Sequence, residues 1–154
     1  KERVDNLYRV ALLHDVGTVV IPDEILNKRG GLTEAAYAKM KEHTDIGSAI
    51  LEEISQFPLI AVGAKCHHER YDGHGHGHQL SGEEIPLEAR IIAVADTFDA
   101  MNSTRVYRPH LTREKILSEL EHAKNTQLDG EIVDVLLRLI AEGKVIIETD
   151  DKQL

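Results

Sequence analysis

Histidine and aspartate residues stand where predicted helices end or where an apolar helix is interrupted. The sequence has two adjacent pairs of such residues, one isolated histidine and one aspartate inside an apolar run. A buried carboxylate in that run costs several kcal/mol unless it is paired or coordinates a cation. Imidazole and carboxylate together suit iron, manganese, zinc or magnesium. The pattern therefore predicts a divalent metal site supplied by four helices, with the candidate ligands His14, Asp15, His43, His67, His68 and Asp96.

Each of these residues alone also has a structural explanation. A histidine can cap the C-terminus of a helix beside a solvated aspartate, which would account for His14 and Asp15. Asp96 could form a buried salt bridge with an arginine such as Arg90 or Arg105. Two adjacent histidines that close an apolar helix are harder to explain without a ligand, so the whole set favours metal binding.

The composition is that of a globular domain and excludes some functions. The 154 residues fit one domain, and the net charge of −9 argues against a duplex-DNA-binding protein, which needs a basic face. A single cysteine, Cys66, excludes an internal disulfide framework and suits a reducing compartment. Since no apolar run reaches the ~20 residues that a bilayer requires, we expect a cytoplasmic location and no membrane contact.

Hydrophobic periodicity predicts an all-α fold in a single domain, residues 1–154. Thr33, Thr112 and Asp129 are predicted N-caps, and Asp23 is predicted to cap a short turn. Residues 70–85 are rich in Gly, His and Ser and predict a loop. Extended segments are expected at 19–22 and, as a strand or a packed end, at 145–147. The predicted helices are 2–15, 34–43, 44 or 45 to 54, 58–68, 87–101, 113–124 and 131–142.

The motifs around these residues resemble a known family over essentially the whole chain. The chain is similar to the HD-domain phosphohydrolases, and specifically to the HD-GYP subgroup, whose members are bacterial cyclic di-GMP phosphodiesterases. The segments that carry the resemblance are 13–17 (LHDVG), 21–28 (IPDEILNK), 43–47 (HTDIG), 67–73 (HHERYDG), 82–91 (GEEIPLEARI) and 95–101 (ADTFDAM).

The resemblance implies an HD-domain helical bundle that hydrolyses cyclic di-GMP to linear pGpG or GMP. Two divalent metal ions are implied, iron or manganese first, with zinc, magnesium or nickel as alternatives. Asp15 would bridge the ions and hold the attacking hydroxide. The six candidate ligands named above would all be metal ligands.

The resemblance also implies groups around the metal ions. A guanidinium suits bidentate contacts to phosphate, although surface ion pairing is the alternative explanation of these arginines. Glu69 is expected to accept a hydrogen bond from a ligand imidazole, and Asp99 to orient a ligand or Arg105. The substrate-binding candidates are Arg70, Arg105, Tyr107 and Arg108.

The sequence departs from the family pattern at two positions near the predicted site. Thr18 replaces a lysine that would reach a substrate phosphate, and its hydroxyl brings one hydrogen bond but no charge. Gly75-His76-Gly77 replaces Gly-Tyr-Pro, which changes the loop that could contact the bases or a partner domain. The histidines of this loop, His74, His76 and His78, either bind a metal or face solvent.

A third departure is that no histidine precedes His14, whereas the family has a metal-binding histidine on an upstream helix. Either water fills that coordination position or the chain lacks this helix. We expect the second, with the chain a piece of a larger multidomain regulator. Two other functions remain open at this point. One is a catalytically degenerate module that binds cyclic di-GMP or a diguanylate cyclase, and the other is an HD phosphohydrolase of another nucleotide. The sequence leaves the oligomeric state open.

Overall fold

The computed structural model describes residues 1–28, 30–54, 59–103 and 111–148. Within these residues there is no β-strand, so the predicted all-α fold is confirmed. Short 3-10 turns cover Val16–Val20 and Gly82–Glu84. The helices are α1 (Glu2–Leu13), α2 (Asp23–Leu26), α3 (Glu34–Glu52), α4 (Ile60–Cys66), α5 (Leu87–Asn102), α6 (Arg113–Ala123) and α7 (Gly130–Ala141).

The first hydrophobic cluster joins α1, α3, α4 and the first half of α5. Val10 of α1 is 1% exposed and packs at Gly63 of α4, where an added Cβ would lie 2.1 Å from Val10 Cγ1. This close approach seats the C-terminal half of α1 on α4, directly before the His14–Asp15 pair. The other buried members are Leu51, Ile60, Ala61, Ala64 and Ile92.

The second hydrophobic cluster joins the rest of α5 to α6 and α7. Helix α5 serves both clusters, because Ile92 is buried in the first and Val94 in the second. An ion pair near the start of α5 also links the halves, with 2.6 Å between Arg90 Nη1 and Asp129 Oδ2. The buried members of the second cluster are Val94, Ile116, Leu120, Leu128, Val133, Ile140 and Ile147.

The predicted helix break after His43 is wrong. Helix α3 runs without interruption from Glu34 to Glu52. Thr44 does not cap a new helix, because its Oγ1 donates to the carbonyl of Lys41 one turn back. A threonine can make this bond inside a helix, so its presence does not require a helix start. His43 therefore lies within a continuous helix.

Two further local predictions need correction. Residues 16–20 form a 3-10 turn, and only Ile21 and Pro22 are extended. Asp23 is the first residue of α2 and not its cap, since Pro22 occupies the N-cap position. Proline has no side-chain acceptor, so this short helix has no side-chain cap bond.

The other cap predictions are confirmed. Thr33 accepts a hydrogen bond from the backbone of Ala36, and Thr112 from that of Lys115. Asp129 accepts one from the backbone of Glu131 at the start of α7. The tail at 145–147 is a packed end and not a strand. Pro58, where the helix 58–68 was predicted to begin, lies outside the described residues.

None of the described helices is both long and apolar enough to cross a membrane.

Candidate metal centre

A close glycine contact positions the His14–Asp15 pair. His14 is the C-cap of α1, and the 3-10 turn that follows crosses α3 at Gly17. A Cβ on Gly17 would lie 1.9 Å from the carbonyl oxygen of His43 and 2.6 Å from the amide nitrogen of Gly47. Only glycine allows these two backbones to approach so closely. The contact brings Asp15 beside His43.

The carboxylate of Asp15 lies among three imidazoles. Its Oδ1 is 3.4 Å from Nε2 of His43 and 3.4 Å from Nε2 of His67, while its Oδ2 is 3.2 Å from Nε2 of His14. The Nε2 atoms of His43 and His67 are themselves 3.4 Å apart. Asp15, His43, His67 and His68 each offer a ligand atom within 4.8 Å of the others. These four residues are able to hold a metal ion.

Backbone carbonyls set the tautomer of three of these imidazoles. Because a carbonyl oxygen only accepts, each Nδ1 must carry a proton and donate it. In a neutral ring, Nε2 then keeps its lone pair, and this is the orientation that histidine ligands of metals adopt. The acceptors are the carbonyl of Ala11 for His14 (2.6 Å), of Met40 for His43 (2.6 Å) and of Gly63 for His67 (2.9 Å).

Charges within the cluster shift its titration. His14 and His67 hold the pKa of the Asp15 carboxyl well below its usual range, because Nε2 of each ring donates a hydrogen bond to it when that ring is protonated. The hydrogen bond with Asp15 raises the pKa of His14 to about 9, against an opposing effect of burial. Burial lowers the pKa of His68 to about 3, aided by repulsion from His67. Near neutral pH Asp15 is therefore anionic and His68 is a neutral imidazole.

Asp96 lies beside this cluster but outside its tightest group. Its charge contributes to the raised pKa of His14, so the two residues are near each other. Its carboxylate is not among the four groups within 4.8 Å that the described residues provide. The alternative pairing with Arg90 is wrong, because Arg90 donates to Asp129 and to the carbonyl of Ile85. Arg105, the other proposed partner, lies outside the described residues.

The loop at 74–78, whose histidines were expected either to bind a metal or to face solvent, brings a further imidazole to the centre. The ring of His76 stacks on that of His68, with centroids 4.8 Å apart and planes at 29°. His74 faces solvent, with its side chain 83% exposed, whereas His76 is half-buried. The sequence signal for this packing is the glycine at position 75. A Cβ there would lie 2.4 Å from the amide nitrogen of Arg70. The loop therefore packs onto the segment that follows His68.

Two predicted substrate contacts are engaged within the protein. Thr18 Oγ1 donates to the backbone carbonyl of Asp15 at 2.8 Å. Arg70 makes a bidentate pair with Asp72, with Nε–Oδ1 at 3.0 Å and Nη2–Oδ2 at 2.6 Å. This pair lowers the pKa of the Asp72 carboxyl. Arg105, Tyr107 and Arg108 lie outside the described residues.

The two predicted orienting carboxylates also have other partners. Glu69 is buried and accepts a hydrogen bond from the backbone of His78, which ties the histidine loop to the end of α4. The expected bond from a ligand imidazole to Glu69 is not among those of the described residues. Asp99 accepts from the hydroxyl of Ser103 at the end of α5.

Comparison with known proteins assigns the chain to a family. The family model for the HD domain matches residues 1–132, and the chain belongs to the HD-domain family. The resemblance drawn from its motifs is thereby confirmed.

Several curated proteins are similar to the chain over most of its length. It is 46% identical over 141 residues to the cyclic di-GMP phosphodiesterase response regulator RpfG of Xanthomonas campestris, covering 90% of this chain and 37% of that protein. It is 42% identical to a cyclic di-GMP phosphodiesterase of Vibrio cholerae, covering 87% and 29%. It is 39% identical to the 3'3'-cGAMP-specific phosphodiesterase 2 of the same organism, covering 89% and 27%. The chain thus spans about a third of the length of these relatives or less.

Proposed function

We propose that this domain is a metal-dependent phosphodiesterase that hydrolyses cyclic di-GMP to linear pGpG and GMP. The observation that carries the proposal is the convergence of His14, His43 and His67 on the two oxygens of Asp15. Relatives at 46% and 42% identity are named cyclic di-GMP phosphodiesterases, which supports this substrate.

The donor set fits divalent metal ions. Three imidazole nitrogens, neutral once a cation displaces the proton of His14, and a carboxylate are ligands suited to iron, manganese or zinc, and we propose two ions, iron or manganese. Divalent cations at such a site activate water as a nucleophile and stabilise charge on the phosphoryl oxygens. The proposed ligands are His14, Asp15, His43, His67, His68 and Asp96.

The chain's own geometry supports a bridging role for Asp15. Its two oxygens face different imidazoles, Oδ1 towards His43 and His67 and Oδ2 towards His14. A carboxylate held in this way can contribute one oxygen to each of two neighbouring cations. Backbone carbonyls hold the imidazoles in orientation, so little reorganisation is needed when substrate binds.

Charged donors for the substrate are proposed from the segment after α5. Arg105 and Arg108 would bind phosphate oxygens, since guanidinium groups make bidentate contacts with them, and the hydroxyl of Tyr107 would donate a single hydrogen bond. Arg70 would serve in this role only if it left its pair with Asp72. The hydroxyl of Thr18 contributes less, because the carbonyl of Asp15 already accepts its hydrogen bond.

A second candidate substrate is 3'3'-cGAMP. It is favoured by the similarity to a phosphodiesterase named for that nucleotide. The replacement of the family's Gly-Tyr-Pro by Gly75-His76-Gly77 also alters a loop that lies against His68. Both nucleotides would present the same phosphodiester to the metal centre, so the choice between them is one of base recognition.

The proposal is tested by hydrolysis of each cyclic dinucleotide with protein loaded with iron or manganese. We expect turnover of cyclic di-GMP, and we expect Asp15→Ala to reduce it at least about 100-fold because the bridging carboxylate is lost. Asp5→Ala, which removes an exposed carboxylate from α1, is the matched control and should retain wild-type activity.

Three other outcomes would each change the conclusion. Faster hydrolysis of 3'3'-cGAMP would favour the second substrate. Metal and cyclic di-GMP binding without turnover would contradict an enzyme and favour a regulatory binding module. Turnover that survives Asp15→Ala would contradict the proposed centre.

A further inference from the structure

A cleft of about 240 Å³ lies between α3 and the histidine loop, next to the metal centre. Lys41, Asp45 and His76 are among its lining residues. It adjoins the centre through His76, which lines the cleft together with Lys41 and whose ring stacks on that of His68. A molecule bound at the centre can therefore extend into this cleft.

The acidic groups of the cleft already have partners. Glu42 accepts from Lys39 Nζ at 2.6 Å, and Asp45 Oδ1 lies 3.7 Å from Nε2 of His78. Lys41 has no carboxylate within ion-pair distance among the described residues. Its ammonium lies 4.9 Å from the centroid of the Tyr37 ring, which orients the charge without neutralising it. Lys41 is thus a cation available to an anionic ligand.

His76 provides a second polar group to the cleft. Its Nε2 is buried and has no hydrogen-bond partner in the described part of the chain. A buried polar atom without a partner is uncommon, because leaving it unpaired costs about 1–3 kcal/mol. Because His76 lines the cleft with Lys41 and stacks on His68, its ring lies where the cleft meets the metal centre.

We propose that this cleft binds the second phosphate of a cyclic dinucleotide, with the ammonium of Lys41 as its principal ligand and the His76 imidazole as an additional hydrogen-bonding group. The inference rests on the proposed function, since a cyclic dinucleotide has two phosphates and the metal centre engages one. Lysine binds phosphate as a compact point charge and needs no bidentate geometry.

The test measures binding of a cyclic di-GMP phosphorothioate, which resists hydrolysis, to the metal-loaded protein by calorimetry. Lys41→Gln should weaken binding at least about tenfold, the effect of losing one hydrogen bond to a charged group. Lys41→Arg retains the charge and should remain within about threefold of wild type. Lys115→Gln makes the same change at an exposed side chain of α6 and should bind as wild type does.

The remaining outcomes separate this inference from the proposed function. Equal affinity of Lys41→Gln and Lys115→Gln would contradict the phosphate site in the cleft without contradicting hydrolysis at the metal centre. Loss of bound metal in Lys41→Gln would also overturn it, because the lysine would then support the centre itself. The wild type could bind cyclic di-GMP without hydrolysing it while Lys41→Gln binds it more weakly. That result would support the phosphate site in the cleft and contradict the phosphodiesterase. A wild-type protein that binds no cyclic dinucleotide would overturn both.

Discussion

At Asp15 one carboxylate faces imidazoles from α1, α3 and the end of α4. Residue types and positions favoured metal binding by His14, His43 and His67 as a set, although each of them alone had a structural explanation. Their convergence on opposite oxygens of Asp15 depends on backbone contacts far apart in sequence, which only the family resemblance anticipated. His76 was predicted least well, because histidines in a glycine-rich loop usually face solvent and here Gly75 lets the loop pack down.

The pKa of His14 gives a pH-dependent prediction for the ion-free protein. Its folded pKa of about 9 lies above the ordinary value of 6.5 because Asp15 accepts its hydrogen bond. The stabilisation is therefore fully present below pH 6.5 and is lost as the pH rises through about 9. A cation at this site must displace the same proton, so metal binding should tighten over this interval.

Proton NMR of the imidazole resonances checks this directly. His14 should titrate near 9 in the ion-free wild type and in the control Asp5→Asn, and well below that in Asp15→Asn. A His14 resonance that titrates at the same pH in the wild type and in Asp15→Asn would refute the electrostatic assignment.

Helix ends were largely predictable from local side chains, because a cap bond spans only two or three residues. Thr33, Thr112 and Asp129 each form the predicted bond. The continuity of α3 was not predictable in this way. Thr44 is chemically able to cap a helix, but within α3 its hydroxyl donates to the carbonyl of Lys41 and the helix continues past His43.

The crossing of the 3-10 turn over α3 depends on Gly17. Gly17→Ala should destabilise the protein by at least about 2 kcal/mol, because its Cβ would meet the backbone of His43 and neither backbone can yield cheaply. Urea denaturation of the variant measures the loss. The ion-free protein should be used, so that metal binding does not contribute.

Gly31→Ala is the matched control, since nothing lies within 4 Å of a Cβ at that position. It should change the free energy of unfolding by less than about 0.5 kcal/mol. Equal stability of the two variants would mean that the turn does not contact α3 as described.

On the scale of the whole molecule, α5 connects two hydrophobic clusters and passes the metal centre at Asp96. The all-α class followed from helical periodicity, which is a local property. The division into two clusters did not, because it depends on which faces of α5 pack with α4 and with α7. Ile92 and Val94 are neighbours in one apolar run and yet belong to different clusters.

The central claim is that this arrangement forms a metal centre around Asp15. Elemental analysis of iron and manganese after exhaustive dialysis, on the wild type and on Asp15→Asn, tests it most directly. Asn keeps the shape of the side chain but loses the charge, so the variant should stay folded and lose most of its metal. The account predicts about two equivalents of metal per wild-type chain and a loss of at least about tenfold in affinity in Asp15→Asn. Equal metal content in both folded proteins would contradict it.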